Sequence, residues 1–244
     1  MGIRLCLTAA LSLAANAVLG LDTVEEALRL AVPEQLMDFA NLEVAGRKNV
    51  APGPDGGLML QITPEQGRVA GGERAELTVD FPFEPGETVI YKWRFRLPVD
   101  FATDAPENRF IIMGQWHDQP DTRLGETWEA FPSRSPPIAL YLGGIGDDIG
   151  FVFDYGATDG NARRSKSEPV FFERGRWHDV EAIINWSRHG AGSAILLLNG
   201  STVARMSGAN MNNNAPHYLK LGLYRHPDIE GPSAITIKDV RISK

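Results

Sequence analysis

The chain has almost no cysteine: Cys6 is the single one among 244 residues, and it lies within an apolar N-terminal stretch. No intramolecular disulfide framework, cysteine-ligated zinc or thiol nucleophile can be built downstream of it, so stability must come from a packed core. Basic residues are in deficit as well. The 24 Lys and Arg stand against 31 Asp and Glu, for a net charge of −7, which argues against nucleic acid or an anionic membrane as the main partner. No apolar run beyond the N-terminus approaches the length needed to span a bilayer. Helical periodicity is scarce too, and with 25 Gly and 16 Pro the chain is dense in turns, which excludes an all-helical protein.

The N-terminus, MGIRLCLTAALSLAANAVLG, offers a cation at Arg4, an apolar run from Ile3 to about Ala15, and small residues at Ala15 and Ala17. It reads as a secretory signal over residues 1–20, leaving a single domain from Leu21 to Lys244 that is secreted or periplasmic, with no membrane partner. One helix is expected between Asp22 and Met37, where Asp22 and Thr23 can cap the N-terminus, Glu25 and Glu26 occupy the first turn and Pro33 ends or kinks it.

Beyond the Pro52–Gly57 turn the pattern is β. Strand-length segments run over Leu58–Thr63, Glu76–Phe81, Thr88–Leu97, Arg109–His117, Pro137–Gly143, Gly150–Tyr155, Trp177–Trp186, Ala194–Asn199, His217–His226 and Ala234–Ser243. These strand-length segments, with no helix between them, suit a sandwich. Asn199-Gly200 between apolar runs predicts a two-residue hairpin turn. The longest irregular stretch, Asp118–Pro136, carries Arg123, Trp128, Phe131 and Arg134, and loops of that length in compact domains are usually functional.

Period-two facing sorts the polar residues on these strands. In Arg109–His117, strict alternation puts Ile111, Met113, Gln115 and His117 on one face. In His217–His226, Leu219, Leu221 and Leu223 form an apolar face and leave Tyr218, Lys220 and Tyr224 opposite. Arg74 and Glu76 share a face. Arg and Gln can neutralise a uronic acid carboxylate so that its α-proton becomes acidic, while His or Tyr takes the proton and Tyr protonates the leaving oxygen. This is the chemistry of β-elimination on a polyuronate.

Arg74-Ala-Glu-Leu, Gln115-Trp-His117 and Tyr218-Leu-Lys220-Leu-Gly-Leu-Tyr224 resemble, in order and spacing, the R-x-E-L, Q-x-H and Y-x-K-x-G-x-Y blocks of the β-jelly-roll polysaccharide lyases, in particular the heparin lyase I-like and glucuronan lyase-like group. The resemblance spans roughly Gly46–Lys244. It implies an all-β, concanavalin-like jelly roll of two antiparallel sheets with a concave substrate cleft. Arg74 and Gln115 would hold the carboxylate, His117 would be base or carboxylate partner, and Tyr224 the acid. Lys220, Tyr218 and Trp128 would bind an anionic polysaccharide, the protein acting as a monomer. The resemblance also implies a structural Ca2+ in some members, for which Asp147, Asp148, Asp154 and Asp159 could supply oxygens, although their spacing matches no closed calcium loop.

Lys92, Arg94 and Arg96 alternate with Tyr91, Trp93 and Phe95, so that strand has one cationic face, either solvated or a substrate-binding stripe with Arg94 at its centre. His178 and His226 read as structural histidines. The competing functions are a non-catalytic carbohydrate-binding module of the same fold, which would need aromatic platforms but no converging His and Tyr, and a glycoside hydrolase, which would need paired carboxylates on strands. Among lyase substrates the net charge of −7 favours an unsulfated glucuronan over heparin, with alginate as a further alternative.

Overall fold

The computed structural model describes residues 23–69, 71–145, 147–158 and 164–244; the expected secretory signal lies outside them. In chain order the strands are β1 (Ala40–Val44), β2 (Val50–Pro52), β3 (Leu58–Ile62), β4 (Glu73–Val79), β5 (Thr88–Arg96), β6 (Ile111–His117), β7 (Ile138–Ile145), β8 (Asp148–Tyr155), β9 (Ser165–Lys166), β10 (Val170–Phe172), β11 (His178–Asn185), β12 (Ser193–Leu198), β13 (Ser201–Ser207), β14 (Tyr218–Arg225) and β15 (Ser233–Ser243).

They form two antiparallel sheets. One runs β1-β4-β14-β6-β7-β8-β10, with β9 paired to β8, and the other runs β13-β12-β11-β5-β15-β3-β2. The pairings of β4 and β6 with β14, of β5 with β11 and β15, and of β3 with β15 join strands distant in sequence, as in a jelly roll. Between the sheets lies one apolar core, in which Trp93, Trp116 and Tyr91 meet edge to face and Tyr91 accepts a hydrogen bond from Trp186 Nε1 at 3.2 Å. Removing a fully buried ring of this kind costs about 3–5 kcal/mol. Trp116 sits between Gln115 and His117 in sequence, so its burial turns both neighbours to the outer face.

The expected helix is real but short. α1 spans Val24–Arg29, and Thr23 caps it by accepting from the Glu26 backbone while the Glu26 carboxylate accepts from the Thr23 N–H. Pro33 stops α-helical continuation, and a 3-10 turn over Glu34–Phe39 leads into β1. Asn199 and Gly200 adopt φ of 51° and 78°, the left-handed pair that a type I′ hairpin between β12 and β13 requires.

Strict alternation fails in β6. A register shift between Ile112 and Gly114 places Ile111 and Met113 in the core with Trp116, and turns Phe110 and Ile112 to the side of Gln115 and His117. The extra residue of a bulge reverses the facing on either side of it. β14 carries a matching irregularity between Leu221 and Tyr224. There Gly222 has φ of 146°, and a Cβ would come within 2.2 Å of the Ala75 carbonyl oxygen, so no other residue fits.

Candidate active site

The outer face of the larger sheet holds a cleft of about 880 Å³ lined by Arg74, Phe110, Ile112, Gln115, His117, Trp128, Phe131, Arg134, Tyr141, Tyr218, Lys220 and Tyr224, among others. Its floor follows from strand order. β14 lies between β4 and β6, so residues far apart in sequence become direct cross-strand partners: Tyr224 opposite Arg74, Lys220 opposite Gln115, and Tyr218 opposite His117. All three motifs therefore meet on one face.

Below the cleft surface is a charged layer. Glu43 on β1 accepts from Arg74 at 3.0 Å and from Lys220 at 2.9 Å through the same oxygen. Arg74 is also 3.4 Å from Glu76, and Gln115 donates to Glu76 at 2.6 Å, which fixes the orientation of the Gln115 amide. Burial works against ionised Glu43, but Lys220 and Arg74 outweigh it and lower its pKa. Glu76 is fully buried, and burial wins there: its carboxyl is raised above the usual range in spite of Lys220 and Arg74.

Above this layer lie the tyrosines. Tyr224 is clamped between the Arg74 guanidinium, 4.3 Å from its ring centroid, and Phe110 at 5.1 Å. Its ring lies so close to the Gly72 backbone that a Cβ there would fall 2.3 Å from Tyr224 Cε2. Tyr218 covers Lys220 Nζ at 5.1 Å and meets Trp128 edge-on. Burial raises the Tyr218 hydroxyl, and the nearby carboxylates add to this.

His117 borders the cleft with its side chain 22% exposed. Its Nδ1 lies 2.9 Å from the carbonyl oxygen of Asp118 and 3.0 Å from Oδ1 of the same residue. Asp118 is wholly buried and accepts from Arg134 Nε. Burial opposes its ionisation, but the bond and charge of His117, with His217 and Arg134, hold its pKa down at about 2.

Seven of the eight residues singled out in the sequence thus line one cleft, and Arg94 does not. It sits on β5 of the other sheet, on the outer face, 3.1 Å from Asp179 and 3.7 Å from Asp239. Its strand belongs to the sheet that closes the opposite side of the core. The guanidinium of Arg74 is committed to Glu43 and Glu76 and stacked against Tyr224, and Gln115 and Lys220 are bonded to the same two carboxylates. Glu43 was missed because its strand carried no recognisable pattern; Glu76, inside the R-x-E-L block, was legible as the partner of Arg74. Asp118 and Tyr141 were passed over, although Asp118 directly follows Gln-Trp-His.

His178 is buried with Nε2 near the Glu173 carbonyl at 2.8 Å and Nδ1 near the Asn199 amide at 3.1 Å, a structural arrangement. Among the described aspartates considered for calcium, Asp148 and Asp154 cannot share one ion. Asp148 and Asp154 lie near opposite ends of β8, about 20 Å apart at strand rise, Asp154 is held by Arg164 at 3.0 Å, and Asp159 lies outside the described residues. Among the described residues no group of three His, Cys, Asp or Glu is placed to hold a metal ion, and no helix is long and apolar enough to cross a membrane.

The fold is shared with the endo-β-1,4-glucuronan lyase of the fungus Trichoderma reesei, at 16% identity and a TM-score of 0.62 over 84% of this chain and 87% of that one. An alginate lyase of Pseudomonas aeruginosa follows at 19% identity and 0.54, covering 80% and 85%. The catalytic domain of a glycoside hydrolase from Coprinopsis cinerea is also similar, at 11% identity and 0.53 over 84% and 83%, so architecture alone does not select a chemistry. No curated protein is similar in sequence. Sequence decides the family: the polysaccharide lyase profile matches residues 39–242, and the chain belongs to the polysaccharide lyase family.

Proposed function

We propose that the protein is exported and cleaves an unsulfated, glucuronan-like polyuronate by β-elimination. The observation that carries this reading is the register of β4, β14 and β6, which brings Arg74, Gln115, His117, Lys220 and Tyr224 to one face. The uronate carboxylate is held by the second N–H of Gln115 and by Lys220. The C5–H and C4–O bonds break, the C4=C5 double bond forms, and the proton ends on the leaving O4. Where proton and leaving group lie on the same side, as in β-1,4-glucuronate, Tyr224 serves as base and acid with His117 assisting. For the opposite geometry His117 takes the proton and Tyr224 supplies one.

Charge matching supports an unsulfated chain. The cations lining the cleft are Arg74, Arg134 and Lys220, and each is paired to a carboxylate of Glu43, Glu76 or Asp118. Among the described residues no surplus is left for sulfate groups. Because those carboxylates are all engaged, they are poorly placed for the paired acid and base of a hydrolase.

The test is ultraviolet absorbance of the unsaturated uronyl product on incubation with glucuronan, alginate and heparin. Glucuronan is expected to give the fastest rise. A faster rise with heparin would overturn the substrate assignment, and retained polymer binding without product from any of them would overturn elimination.

A further inference from the structure

We infer that Asp118 is the positioning residue of His117, fixing which ring nitrogen carries the proton, and that Arg134 ties the Asp118–Pro136 loop into the same unit. The inference rests on the lyase reading for its kinetic consequence and on geometry alone for its structural one.

Two acceptors meet one nitrogen. The Asp118 carbonyl oxygen is hydrogen-bonded to His117 Nδ1 at 2.9 Å, and carboxylate Oδ1, which has no hydrogen-bond partner, lies 3.0 Å from the same nitrogen as a charge contact; neither oxygen can donate a proton to it. Nδ1 therefore holds the hydrogen, and Nε2 keeps its lone pair. This is the state a base needs. When His117 takes a proton, the imidazolium forms beside a buried carboxylate already ionised, so the charge is stabilised without reorganisation.

The carboxylate is held from its other side. Arg134 Nε donates to Asp118 Oδ2, and the Arg134 guanidinium lies 5.1 Å from the Phe131 ring. Phe131 in turn meets Trp128 at 5.5 Å, which meets Tyr218 at 6.4 Å. The loop that walls the cleft is thus latched to the residue that orients the base. The remaining groups around His117 add no competing charge. His217 is fully buried and pushed down to about 4 by that burial; its Nδ1 donates to the Ala215 carbonyl and its Nε2 accepts from the Asn212 N–H. Tyr218, whose ring is 6.1 Å from that of His117, is raised by burial and stays neutral.

The experiment combines 15N NMR of the histidine rings with kinetics of Asp118→Asn. In the wild type, His117 is expected to show a protonated Nδ1 and an unprotonated Nε2. In Asp118→Asn the backbone carbonyl still faces Nδ1, but the new amide can present an N–H to the same nitrogen, so the single tautomer gives way to a mixture. kcat then falls by about 10²-fold, the lower end of what a side chain positioned to assist or carry out proton transfer contributes, with KM changed less than about threefold. A merely structural Asp118 would lower Tm and leave the tautomer and kcat alone, which would overturn the inference. So would a wild-type His117 carrying its proton on Nε2, and this spectrum decides the matter even if Asp118→Asn fails to fold. A wild type that yields no unsaturated product from any polymer would count against the lyase reading, while the tautomer still tests the geometry.

Discussion

Two faces of the sandwich carry cations at period two, and they differ in how deeply those cations and their partners are buried. On the outer face of the smaller sheet, Lys92 and Arg94 pair with Glu181 and Asp179 on the adjacent strand, and side-chain exposures run from 29% to 65%. On the outer face of the larger sheet, Arg74 and Lys220 are 9% and 4% exposed at the side chain and share Glu43, with Glu76 buried beside them. The first arrangement is a solvated ladder, worth little because water screens it. The second is desolvated and roofed by Tyr218 and Tyr224. What separates them is burial of the partners, not the spacing of the cations.

The sharpest way to break this contrast is at the roof. Tyr224→Phe removes the hydroxyl and leaves the Arg74 and Phe110 packing of the ring in place, so turnover is expected to fall by about 10³-fold while polymer binding persists. Near-normal product formation in that variant would show that Tyr224 only covers the charged layer. A subtler version shifts the ring without changing it. In Gly72→Ala the new methyl would lie 2.3 Å from Tyr224 Cε2, and the clamp of Arg74 and Phe110 limits how far the ring can retreat. Displacement of a reacting group by about 1 Å costs up to about 10²-fold; we expect a kcat loss of about 10-fold or more with Tm nearly unchanged. Wild-type kcat in Gly72→Ala would mean that Tyr224 does not need this position.

The charged layer can be probed through stability. Glu43 and Asp118 have folded pKa values below their unfolded ones, Asp118 at about 2. Their stabilisation is therefore fully present above about pH 4 and is lost as the pH falls through the folded values. Tm of the wild type should drop between about pH 4 and pH 2. Glu43→Gln leaves Lys220 without its carboxylate and Arg74 with one fewer. Because Glu43 is partly exposed and Glu76 remains, the cost is about 2 kcal/mol at neutral pH rather than the larger loss of a fully buried pair, and the acid drop should be shallower. Parallel Tm curves for Glu43→Gln and wild type would show that this pair contributes no pH-dependent stability.

The same contrast explains what could be read from the sequence. Gln115, His117, Lys220 and Tyr224 were legible because Trp116 and the leucines of β14 are large and apolar, so alternation fixed the polar residues outward. Glu43 was not, since β1 is an edge strand with every residue partly exposed or exposed, and its partners lie 31 and 177 residues away. The facing of Ile111 and Met113 went wrong for a local reason: a bulge is one residue of irregular backbone, and Gly114 was the only hint of it. Which sheet Arg94 joins was not legible, because alternation tells which residues share a face but not where their strand pairs. That is set by long-range pairing of β5 with β11 and β15.

The smallest expected effect closes the comparison from the other side. Arg94 spans Asp179 and Asp239 and lies 5.5 Å from the Trp177 ring, over which Lys238 also sits at 4.1 Å. With its side chain 34% exposed, Arg94→Ala should cost less than about 1 kcal/mol, the usual worth of a surface pair, and that difference should shrink in high salt. Turnover and polymer affinity should be unchanged, because the core separates this residue from the cleft. A loss of affinity in Arg94→Ala, measured by titration with the polymer that the enzyme cleaves, would make the outer face a second binding surface. The distinction between solvated ladder and desolvated layer would then no longer separate the two sides.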